Sequence, residues 1–183
     1  LNQVIRVKKS PTYWDADRVK LNEIHFLPID NPTREDLMFR SGRIHVTSTV
    51  PTEKIEVYRE QYPDQITITP YYGTYYYRIN INKKPLDNKL VRQALSLSMD
   101  REKITDKVAK GGQIPAFSFT PPDPNSYFPP TALEYNPEAA KTLLELAGYT
   151  PDNLPTIELL YNTSEGHQKI AEAMQQMWKE NLG

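Results

Sequence analysis

Apolar and polar residues alternate in short runs through the first half of the chain. Ile24-His25-Phe26, Arg43-Ile44-His45-Val46 and Gln65-Ile66-Thr67-Ile68-Thr69 show this period of two, and Val4-Ile5-Arg6-Val7 also reads as a strand. Successive side chains of a strand point to opposite faces, so the pattern predicts half-buried strands. Two short helices interrupt them. Thr33 is the expected N-cap for Arg34 to Arg40, with Ser41-Gly42 ending the helix. Pro51-Thr52 opens the second, with Ile55, Tyr58 and Tyr62 on one face and Pro63 beyond its end.

The second half changes period. Leu90, Val91, Ala94 and Leu95 form a helical stripe behind Asp87, the expected cap. Asp100 caps the next helix, with Met99 and Ile104 positioned as a hydrophobic staple and Gly111-Gly112 as its stop. Asn136 with Pro137 begins a helix that buries Leu143, Leu144 and Ala147 and closes at Gly148. A strand over Ile157 to Tyr161 precedes a last helix with Ile170, Met174, Met177 and Trp178 on one face. The proline-rich stretch Pro121 to Pro130 is expected to be an irregular surface connection. Strands alternating with helices predict an α/β fold, with a mixed sheet and flanking helices.

Composition narrows the function classes. Lys+Arg 22 against Asp+Glu 23 leaves a net charge of −1. Without a local surplus of cations, nucleic acid is not an expected partner. With no Cys, neither a disulfide nor a thiolate metal site can form. No apolar run approaches the ~20 residues of a membrane span. The chain starts at Leu1 within a strand-like run and ends at Gly183 just after a helix. It therefore reads as an internal piece of a longer protein.

Catalytic patterns are not found. His25 and His45 occupy polar positions of alternating runs and are expected to face solvent, and His167 falls in the first turn of the last helix. No two histidines have the helical spacing of a metal pair. There is no G-x-S-x-G elbow, and Gly111-Gly112 lacks the Lys-Ser/Thr of a phosphate loop. Carboxylate pairs such as Glu53/Glu56 and Glu102/Asp106 fit solvated helix faces. The sequence predicts no enzyme, cofactor or metal.

One constellation departs from an ordinary core. Pro70-Tyr71-Tyr72-Gly73-Thr74-Tyr75-Tyr76-Tyr77-Arg78 sets five tyrosines in seven positions. Alternation sends Tyr71, Gly73, Tyr75 and Tyr77 to one face and Tyr72, Thr74, Tyr76 and Arg78 to the other. A face of ring planes and hydroxyls suits a ligand with amides and mixed side chains. A tyrosine-rich strand lying across a sheet fits the same pattern, because β-propensity alone enriches Tyr.

The tyrosine run is followed by Pro85-Leu86-Asp87-Asn88-Lys89-Leu90-Val91-Arg92-Gln93-Ala94-Leu95 and Met99-Asp100-Arg101. Together with Ser10-Pro11-Thr12-Tyr13-Trp14, Ser41-Gly42-Arg43-Ile44, Pro115 to Pro122, Ala147-Gly148-Tyr149 and Leu159 to Ser164, these segments resemble the family 5 extracellular solute-binding proteins. The resemblance lies in their oligopeptide-binding and murein-peptide-binding branch. It implies the middle of a two-lobed fold of the periplasmic-binding-protein type II kind. Residues 1–73 would belong to the first lobe, 74–95 to a hinge crossing and 96–183 to the second lobe. It further implies a substrate-binding component of an ABC peptide importer, located in the periplasm or lipid-anchored at the cell surface. Its partners would be an oligopeptide in the cleft and the membrane subunits of a permease. A nickel-chelate, haem or sugar carrier on the same scaffold is the alternative, and a peptide hydrolase the alternative from another class. Carried over by position, Tyr71 and Tyr76 would line the ligand, with Thr74, Ser48 and Thr49 supplying hydroxyls. Arg78 stands where oligopeptide binders commonly have Glu, a reversal that would favour a ligand with an extra carboxylate. Taken alone, the piece would leave apolar contacts uncovered and tend to self-associate.

Overall fold

The computed structural model describes residues 3–123, 126–130 and 133–183. They divide into two compact units, Leu1–Val50 and Pro51–Gly183.

In the first unit, β1 (Ile5–Lys8) and β2 (Glu23–Phe26) pair antiparallel. The register sets Ile5 opposite Phe26 and Val7 opposite Ile24, so the apolar side chains share one face. Arg6 opposite His25 and Lys8 opposite Glu23 occupy the other, where His25 Nε2 lies 2.8 Å from Glu23 Oε1. His25 and His45 are both exposed. The following helix, α1 (Pro32–Arg40), is capped by Asn31 rather than Thr33: its side-chain oxygen accepts from the Arg34 amide at 2.8 Å. Proline at N1 has no amide to satisfy, so the cap belongs to the residue before it. Gly42, at φ +70°, ends α1. Its amide donates to the Phe39 carbonyl and that of Arg43 to Met38, both at 2.9 Å, the paired bonds of a Schellman motif.

The second unit opens with a 3₁₀ turn (Thr52–Lys54) and α2 (Ile55–Gln61), which buries Ile55 and Tyr58. Tyr62, expected on the same face, lies beyond the helix end and is exposed. After a long non-helical stretch come α3 (Lys89–Leu97), α4 (Arg101–Lys103, continuing as a π-helix over Ile104–Ala109), α5 (Pro137–Leu146) and α6 (Glu165–Leu182). Asn88, not Asp87, caps α3, accepting from the Leu90 amide at 2.8 Å. Asp100 and Asn136 cap α4 and α5 as expected. The π-turn ends at Lys110, which itself takes the left-handed conformation (φ +57°) ahead of the glycine pair.

The core of this unit is helical. Val91, Ala94, Leu95 and Leu97 of α3 meet Ala140 and Leu144 of α5 and Leu182 of α6. Trp178 packs against the cluster and donates from Nε1 to the Leu95 carbonyl at 2.9 Å, and Asn181 donates to the Ser98 carbonyl at 2.9 Å. At the foot of α4, the Arg101 guanidinium bonds the Ser96 hydroxyl (2.8 Å) and the carbonyls of Ser96 and Leu133, and stands over the Phe117 ring.

Four expected strands carry no ladder among the described residues: 43–46, 65–69, the tyrosine run and 157–161. Their alternating pattern is real, but a strand needs a neighbour to take its backbone bonds, and β1 and β2 pair only with each other. Leu144 is 3% exposed in the α3–α5–α6 seam. Leu144→Ala is expected to lower unfolding stability by about 2–5 kcal/mol in urea titration. Gly148 sits at φ +84° with open space around it. Gly148→Ala should therefore cost about 1–2 kcal/mol from backbone strain alone.

Candidate functional site

From Ile66 to Asn80 the chain forms neither helix nor ladder, and its tyrosines make their contacts individually. Tyr75 and Tyr77, two residues apart, meet edge to face at 5.4 Å, and the Tyr75 hydroxyl donates to that of Tyr77 at 3.1 Å. Tyr76, between them, turns instead to Phe119, edge to face at 4.9 Å. The predicted alternation therefore holds over 75–77. It breaks upstream, where the Gly73 amide donates to the Tyr71 carbonyl at 2.9 Å and the Tyr71 ring folds over Gly73. A Cβ at position 73 would collide with that ring.

The second side of this aromatic group comes from α6. His167 stacks on Tyr75 with centroids 4.8 Å apart and planes 29° from parallel. Its Nδ1 lies 2.6 Å from Asn162 Oδ1, a contact that orients the ring. Burial, and then the bond with Tyr75, push the Tyr77 phenol above its ordinary range.

Tyr71 is 89% exposed and Tyr76 52%, so neither ring is spent on the core. Thr74 is half-buried and Arg78 exposed. Ser48 and Thr49 belong to the first unit. There the Ser48 amide and hydroxyl donate to the Glu35 carboxylate at 2.8 and 3.0 Å, while Thr49 is exposed. Glu35, only 7% exposed, was not singled out by the sequence, since a carboxylate in a charged helix gives no sign of burial.

A cavity of about 400 Å³ in the second unit is lined by none of these residues. Thr52, Glu53, Lys107, Lys110, Lys169 and Glu172 face it. Lys169 Nζ reaches Glu53 Oε2 at 2.9 Å and Thr52 Oγ1 at 3.3 Å. A backbone hydrogen bond, then Lys169, hold the Glu53 carboxyl below its ordinary value. Among the described residues no group of three or more His, Cys, Asp or Glu converges as a metal site.

The model of the bacterial extracellular solute-binding proteins, family 5 (middle), matches residues 1–183. The chain belongs to that family. The periplasmic oligopeptide-binding protein OppA of Escherichia coli is 40% identical over 190 residues, and the periplasmic murein peptide-binding protein MppA of the same organism 38%. Each alignment covers the whole chain but 35% of the relative, so the chain spans about a third of the length of these proteins. In structure it matches MppA with a TM-score of 0.91 at 37% identity, covering 100% of this chain and 37% of that one. The unliganded open form of MppA matches with 0.59 over the same coverage, at 38% identity. Haemophilus influenzae OppA in complex with the peptide RPPGFSPFR matches with 0.83 at 34% identity, covering 99% and 37%. These matches identify the fold as part of the two-lobed periplasmic-binding-protein architecture, as the resemblance implied.

A raised phenol pKa favours the folded state fully below the unfolded value of about 10, and the advantage is lost as pH climbs beyond it. Tyr77→Phe should remove a late-appearing phenolate from an alkaline absorbance titration. It should also flatten the fall of stability above about pH 10.

Proposed function

We propose that this chain supplies one wall and the hinge crossing of a peptide-binding cleft, in the substrate-binding component of an ABC importer. The observation that carries the reading is the exposed tyrosine run, with Tyr71 and Tyr76 open to solvent and Tyr75 backed by His167. Rings presented this way accept varied apolar side chains, while their hydroxyls bond peptide carbonyls and amides. Arg78, exposed in the same run, offers a cation to a carboxylate. Support also comes from relatives that bind oligopeptides or murein peptide and are periplasmic.

In this reading residues 1–73 belong to the first lobe, 74–95 cross the hinge and 96–183 begin the second. Closure of the lobes excludes water and lets the amides of a short peptide be met by protein groups. Thr74 adds a hydroxyl to that wall. The Ser48 hydroxyl, already given to Glu35, orders the loop instead. The protein performs no chemistry on the peptide, and the loaded form docks on the permease subunits.

Calorimetry of the complete protein with tri- to pentapeptides tests the reading. Peptide should bind and be recovered uncleaved by mass spectrometry, whereas cleavage products would convert the assignment to a hydrolase. Tyr76→Ala should weaken binding by about 5–30-fold, the range of a lost aromatic anchor. Arg78→Glu should lower the preference for a peptide with an additional carboxylate over its neutral analogue. An unaltered preference would remove Arg78 from the site.

A further inference from the structure

We propose that Glu53 and Lys169 form a latch between the lobes that favours the closed state without touching the ligand. The inference rests on the lobe assignment proposed above, in which Glu53 belongs to the first lobe and Lys169, on α6, to the second; in the structure both lie within the compact unit Pro51–Gly183, the arrangement the pair would hold. The two residues lie 116 positions apart, with the whole crossing between them, yet Nζ and Oε2 meet at 2.9 Å. Thr52 Oγ1, in the same 3₁₀ turn, takes a second contact from the same ammonium at 3.3 Å.

A neighbouring approach joins the same two stretches of the second unit. Arg59 of α2 lies against Gly112, where an added Cβ would stand 3.3 Å from its Nη2. Glycine at φ +86° both makes that turn and leaves room for the guanidinium. Thr52 and Glu53 thus form one rim of the 400 Å³ cavity, and Lys107, Lys110 and Lys169 the other. The two MppA structures, one matching at 0.91 and the open form at 0.59, differ over the residues this chain covers.

An exposed ion pair is weak on its own. Its effect on a two-state closure is set by the difference between the states: the pair exists closed and is separated open, so all of its interaction energy biases the equilibrium. At the rim it would also be screened by salt.

The test uses the complete protein carrying Glu53→Gln, Lys169→Met, or the exchange Glu53→Lys with Lys169→Glu. Trialanine is the calorimetric probe, at low and high ionic strength. Each single variant should bind about two- to fivefold more weakly at low salt. The difference should shrink at high salt, and the exchange should restore affinity. Equal affinity in all variants would overturn the latch. So would a Lys169→Met loss that the exchange fails to restore, because the lysine would then be meeting the peptide itself. A second readout separates this from the peptide reading. Spin labels at the exposed positions Glu60 and Lys141 in the unliganded protein should report a longer distance distribution in Glu53→Gln than in the parent. An identical distribution would also overturn the latch. A parent that binds no peptide, but whose label distances respond in this way, would leave the latch standing and sink the peptide assignment.

Discussion

The second unit is organised around one dry seam, where α3 lays Val91, Ala94 and Leu95 against Ala140 and Leu144 of α5. Alanines on both sides let the helix backbones come close, and leucines fill the remaining space. The seam is closed by Trp178, whose ring adds apolar area while its N–H takes the Leu95 carbonyl. That bond also ties α6 to α3, and so fixes the helix that carries His167 and Lys169. The aromatic group and the rim of the cavity inherit their geometry from a core that contains neither.

Local signals in the sequence were legible to the extent that the forces behind them are local. Asp100, Asn136 and Gly148 act within a few residues of themselves, and each stands where the pattern put it. Thr33 and Asp87 have the residue type of a cap, but the neighbouring Asn31 and Asn88 take the bond. Capping depends on a displacement of one or two residues that composition alone does not resolve. The strands are a different case. Alternation in 43–46, 65–69 and 157–161 records which side chains face alike, while pairing requires a second segment that periodicity cannot name.

The same division runs through the site. Five tyrosines in seven positions are more than one side of a strand can bury, so some exposed rings followed from counting, whereas Tyr71 and Tyr76, on opposite faces of that pattern, were marked out only by the family resemblance. Their neighbours were marked out by neither. His167 meets Tyr75, Phe119 meets Tyr76, and Glu35 receives Ser48, each across an interval where no spacing rule applies. Lys169 and Glu53 are likewise ordinary surface residues until the fold brings them together.

Arg101 adds a consequence of a different kind. Burial lowers its pKa, yet a guanidinium keeps its proton in proteins, and its partners are a hydroxyl, two carbonyls and the Phe117 ring. No member of that joint titrates. Acidification that would loosen an arginine held by carboxylates leaves this anchorage between α4, α3 and the Leu133 segment unaltered.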